Sequence, residues 1–185
     1  MNLQDWIRGK SVLLRLLIFL YFIYDFFAYS QNIDRNNIWF PVNYAIHELG
    51  HFVTAFLPTL ICIAAGTIFQ LLLPLYGLFC FLRQRDYFGI AITLDWLASN
   101  FFNISAYVGS STDVEWVAMV TVFHGDGEII HDWNYLLTDL GILGYYHSIS
   151  NFFLILGWTA ISAAILFGGY IIWLMFKLKR ETGWY

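Results

Sequence analysis

Apolar residues in this 185-residue chain fall in long runs rather than short alternating patches. A bilayer core takes about 20 apolar residues in helical form. Four stretches answer that description: residues 11–29, 59–82, 87–108 and 149–176. Arg15 sits near one end of the first, within snorkelling reach of the interface. The second stops at Arg83-Gln84-Arg85-Asp86, and the fourth closes on Lys177, Lys179 and Arg180. The third is apolar but interrupted by Asp95, Asn100 and Asn103. A fifth segment, 40–57, opens with Pro41, which suits the first turn of a helix, and ends against Pro58, which discourages continuation. It carries His47, Glu48 and His51 in its middle, so it either spans or dips in and returns.

Residues 109–148 are mostly not a span. Their end, 133–146, places Leu136, Leu137, Leu140 and Leu143 at helical spacing and predicts a short interfacial helix. The pattern therefore predicts an all-α integral membrane protein forming one domain over 1–185. It has about four transmembrane helices, a membrane-embedded helix over 40–57 that either spans or re-enters, and an extramembrane acidic loop over 109–148.

Composition agrees with lipid as the solvent. Apolar residues make up 59% and charged residues 12%, and the mean hydropathy is +0.63. Soluble domains are roughly 25% charged, so too few polar side chains remain here to cover a watery surface. The net charge of -4 offers no basic stripe for phosphates and argues against a nucleic-acid partner. Cys62 and Cys80 lie inside apolar runs and read as small buried hydrophobes. The first apolar run lacks a small-residue cleavage site and is expected to stay as an anchor.

Charge also orients the chain. Basic residues gather near the N-terminus (Arg8, Lys10, Arg15), at Arg83 and Arg85, and at the C-terminus. Residues 109–148 hold six acids and neither Lys nor Arg. The positive-inside rule then puts both termini and the Arg83 loop in the cytoplasm. An even number of crossings is required, which four spans and a re-entrant 40–57 helix supply.

The chemistry concentrates in His47-Glu48-Leu49-Gly50-His51. Positions four apart share a helix face, so both imidazoles can reach one Zn²⁺ at about 2.0–2.1 Å. Glu48 projects nearby without occupying the metal, placed to take a proton from metal-bound water and pass it to a leaving amine. Ionisable groups inside an apolar segment are costly and tend to be functional. A catalytic zinc site usually has three protein ligands, so a third must come from elsewhere. The candidates are His124, His131, Asp132, His147, Asp95 and Asn103. His131-Asp132 is preferred because it opens the amphipathic segment, with one residue ligating and the other supporting it. Gly66 permits close helix approach, and Gln70 can offer its amide to substrate or simply tie helices together. Asn100 and Asn103, three apart on one face, have the same two readings.

These residues resemble the site-2 protease class of intramembrane zinc metalloproteases. The succession is similar, more closely, to a group of small bacterial membrane proteins related to that class. The matching segments are HELGH at 47–51, GTIFQLLLPL at 66–75, NFFNISAY at 100–107 and GDGEIIHDWNYLL at 125–137. The resemblance implies zinc on His47 and His51, Glu48 as general base, cleavage of a polypeptide within or beside the bilayer, and residence in a bacterial inner membrane. Site-2 proteases take their third ligand from an aspartate in an Asn-x-x-Pro…Leu-Asp-Gly segment, which this chain lacks.

Two function classes follow. One is a zinc endopeptidase acting on transmembrane or membrane-proximal polypeptides, with the acidic loop supplying a polar vestibule and Gly125 and Gly127 as flexible points. The other is a non-catalytic metal-binding sensor or assembly factor, which predicts a closed shell of His47, His51, His131 and Asp132. A metal transporter fits less well, since only Asp25 and Asp95 are spare intramembrane acids.

Overall fold

The computed structural model describes residues 3–113 and 131–182, the last two as backbone only. The expectations placed on His124, Gly125 and Gly127 lie outside the described residues. Seven α-helices and one 3-10 turn account for nearly all of what is described, with no strand among those residues. We number them α1 (Leu3–Ile7), α2 (Val12–Gln31), α3 (Phe40–Thr54), α4 (Thr59–Gln84), α5 (Tyr87–Gly109), α6 (Asp132–Asp139) and α7 (Tyr146–Thr182).

Local chemistry explains the boundaries. Ser11 caps α2 by accepting from the Leu14 N–H at 3.3 Å, and Asp86 caps α5 through the Gly89 N–H at 3.2 Å. Pro41 stands in the first turn of α3, and Pro58 marks the start of α4. Arg85 takes a left-handed conformation at φ 55, closing α4 so that α5 can run back beside it. The interfacial segment is shorter than its leucine spacing predicts: α6 stops at Asp139, and a 3-10 turn at Leu143–Tyr145 leads into α7. The final helix in turn begins three residues earlier than expected. Gly141, at φ 69, makes the bend between them.

Three helical stretches are long and apolar enough to cross a membrane: Val12–Gln31, Thr59–Gln84 and Leu143–Arg180. The fourth expected span, now α5, is long enough at 23 residues but less apolar, because Thr93, Asp95, Ser99, Asn100 and Asn103 dilute it. Those polar residues do not face lipid. α5 is the central helix, wrapped by α2, α4 and α7, and Asp95, Ser99 and Asn100 are buried within the bundle. Its apolar side packs Phe88, Ala91, Ala98 and Phe102 against α2 and α7.

Side-chain pairs give the helix directions. Phe22 stacks on Phe88 and Tyr29 on Phe102, so α2 and α5 run the same way. α7 runs opposite, with Gly157 against the Phe102 ring and Gly168 near Ala91. α4 is also antiparallel to α5, pairing Gly77 with Thr93 and Gln70 with Asn103. α3 runs with α5: Trp39 Nε1 donates to Asp95 Oδ2 at 2.9 Å, and Asn43 Nδ2 to Ser99 Oγ at 3.1 Å. The segment before α3 folds back along α2, where Arg35 pairs with Asp25 at 2.6 Å and Asn37 donates to its other oxygen at 2.8 Å.

Candidate metal centre

α3 and α4 form a tight antiparallel pair, and two glycines make the approach possible. A Cβ on Gly50 would lie 2.5 Å from the Ala65 carbonyl oxygen. A Cβ on Gly66 would lie 2.6 Å from His51 Nε2 and 2.7 Å from His47 Nε2. Gly66 thus leaves open the small space onto which both ring nitrogens face. Asp132, in the first turn of α6, completes the group: His47, His51 and Asp132 are all buried, with ligand atoms within 4.8 Å of one another. Asp132 Oδ2 is 2.8 Å from His47 Nε2 and 3.2 Å from His51 Nε2.

The outer nitrogens are held by partners that fix their protonation. His51 Nδ1 is 2.9 Å from the Cys62 carbonyl oxygen, which can only accept, so Nδ1 carries the hydrogen. His47 Nδ1 is 3.2 Å from Gln70 Oε1, and the Gln70 amide nitrogen donates to Asn103 Oδ1 at 2.8 Å. With Nδ1 committed as donor, each neutral ring aims an Nε2 lone pair at the same carboxylate oxygen. Lone pairs facing a carboxylate repel unless a proton or a cation lies between them. Two imidazoles and one carboxylate form the donor set that zinc takes, each histidine steadied by a carbonyl oxygen behind its ring. The residues therefore fit a zinc ion.

His131, one of the two residues the sequence offered as third ligand, is turned away from the pair. Its Nδ1 accepts from the Asn134 N–H at 3.2 Å, capping α6, and its Nε2 lies 3.1 Å from Ser110 Oγ. Burial holds its pKa below the usual histidine value, keeping it neutral with both nitrogens occupied. The adjacent Asp132 supplies the carboxylate instead, because a cap residue points back over the helix start while the first helical residue projects sideways.

Glu48 lies on the next face of α3. Both of its carboxylate oxygens are buried, and the Tyr44 hydroxyl one turn earlier is the donor beside them. Gln70 and Asn103 join the centre as support for His47. Asn100 does not reach it: its amide donates to the Trp96 carbonyl of its own helix at 2.9 Å. Asp95 belongs to the Trp39 contact, and His147 packs on Tyr146. Tyr107, not singled out from sequence, accepts from the Asp132 N–H at 3.1 Å and lies over the His131 ring at 4.3 Å. Only its offset of four from Asn103 on α5 signalled it. No family model, curated protein or solved structure matches this chain.

Proposed function

We propose that this protein is a membrane-embedded zinc metallopeptidase that cleaves polypeptides within or beside the bilayer. The observation that carries the reading is the convergence of His47, His51 and Asp132, with the buried Glu48 carboxylate on the same helix turn as the histidines. When bound, zinc supplies the Lewis acidity that makes water a nucleophile near neutral pH. His47, His51 and Asp132 hold it, and Glu48 accepts the proton that the attacking water loses and returns it to the leaving amine. The non-catalytic alternative needs a closed shell of four donors. Among the described residues three are available, and His131, the expected fourth, is engaged by Ser110 and Asn134.

The helix directions favour an arrangement of four crossings and one re-entrant helix. In this reading α2, α4, α5 and α7 cross. The 32–39 segment returns along α2 as far as Tyr21, whose hydroxyl accepts from the Ile38 N–H at 3.4 Å. α3 then starts level with Asp95 in the middle of α5 and climbs back. Its 15 residues measure about 22 Å, short of a full crossing. Both termini and the Arg83–Arg85 turn then lie on the cytoplasmic side of a bacterial inner membrane, and the metal centre lies toward the other face.

The test is zinc content of detergent-purified variants, paired with cleavage of a library of fluorescently labelled transmembrane peptides in proteoliposomes. Wild type should carry close to one zinc per chain and cleave part of the library. Glu48→Gln should keep zinc and lose cleavage by about a hundredfold or more. Asp132→Ala should lose zinc, whereas His131→Ala should retain it. Wild type without zinc, or Glu48→Gln with undiminished cleavage, sinks the assignment.

A further inference from the structure

Resting on the zinc-hydrolase reading, we propose that Tyr107 is a second catalytic group, an electrophile working opposite Glu48. Its hydroxyl donates a hydrogen bond to the carbonyl oxygen on which charge collects as water adds.

Three features of the site lead there. The Tyr107 oxygen already accepts from the Asp132 N–H at 3.1 Å, while among the described residues its own proton meets no acceptor. Accepting on the α6 side steers that proton away from α6. The carboxylates whose charge acts on the hydroxyl are those of Asp132 and Glu48, the ligand and the base. Finally, the ring is held before any substrate arrives. It stacks on His131 at 4.3 Å with 30° between planes, and His131 is itself fixed at both nitrogens. The edge of the His47 ring closes the other side, 6.1 Å between centroids at 70°.

A phenol stays protonated at neutral pH and so remains a donor there. A donor fixed in advance at the point where charge develops costs no reorganisation during reaction, which is why such groups matter in buried sites. In the first step, the water oxygen bonds to the carbonyl carbon and the carbonyl π pair moves onto oxygen. Glu48 takes the water proton, and Tyr107 stabilises the new oxyanion without surrendering its own. In the second step the pair returns, the C–N bond breaks, and the amine leaves with the proton from Glu48.

The experiment needs no natural substrate. Cobalt-loaded, detergent-purified full-length protein is titrated with acetohydroxamate, whose paired oxygens carry the negative charge of the proposed intermediate. Binding is followed in the visible spectrum. Tyr107→Phe, which keeps the ring against His131, should retain one cobalt per chain and bind acetohydroxamate about tenfold or more weakly. Tyr145→Phe, an exposed tyrosine remote from the centre, should bind like wild type. Cobalt retained with unchanged acetohydroxamate affinity in Tyr107→Phe overturns the inference and leaves the metal centre standing. Cobalt lost in that variant also overturns it, since Tyr107 would then serve only to hold Asp132. Failure of wild type to take up cobalt removes the metal-centre reading, and this inference with it.

Discussion

At the scale of single residues, the cluster of His47, His51 and Asp132 depends on atoms that lie behind it. Gln70 accepts from His47 Nδ1 and is oriented in turn by Asn103. Gln70→Leu leaves the His47 hydrogen without an acceptor, and metal affinity should fall about 10–100-fold in competition with a chromogenic chelator. Retention of wild-type affinity would show that the amide only joins helices. Gly66 is the sharper case. Gly66→Ala puts a methyl 2.6 Å from His51 Nε2 and should abolish metal uptake while the helical content by circular dichroism stays unchanged. That His47 and His51 face one point was legible in sequence, because residues four apart share a helix face. The choice between His131 and Asp132 was not, because it turns on which of two neighbours caps α6 and which begins it. Tyr107 was missed for a related reason: one tyrosine among 12 carries no spacing signal of its own.

At the scale of elements, α3 carries a polar stripe, with Glu48 on the face beside it. Trp39, Asn43, His47 and His51, each four residues after the last, lie on one face, and their partners come from α4, α5 and α6. The stripe's lower half anchors and its upper half ligates. The anchor is reinforced before α3 begins, where Arg35 neutralises Asp25, a carboxylate only 1% exposed. Arg35→Ala strands that charge and should cost about 3 kcal/mol, read as a lowered Tm in detergent. An unchanged Tm would mean that water or Asn37 alone satisfies Asp25. The sequence showed Asp25 and Asp95 as spare acids, and no pattern tied them to the 32–39 segment, since that pairing depends on the chain turning back along α2. Helix boundaries, by contrast, were readable to within a few residues because Ser11, Pro41, Pro58 and Asp86 act locally.

At the scale of the whole molecule, the bundle is built around a helix whose polar residues face inward. That inversion explains why α5 reads as the weakest span yet sits at the centre. The proposed topology is testable on a background in which Cys62 and Cys80 are replaced by serine. A thiol introduced by Arg85→Cys should be labelled by impermeant reagents only from the side of the termini. One introduced by Tyr145→Cys should be labelled only from the opposite side. Labelling of both from one face would remove the even number of crossings. The separation of the ligands has one more consequence. His47 and Asp132 meet across 85 residues of chain, and every helix between them must be in place before they do. During synthesis the two histidines enter the bilayer long before their carboxylate exists. A growing chain therefore holds an incomplete cluster through most of its synthesis, and any chemistry that needs all three side chains has to wait until α6 has been made.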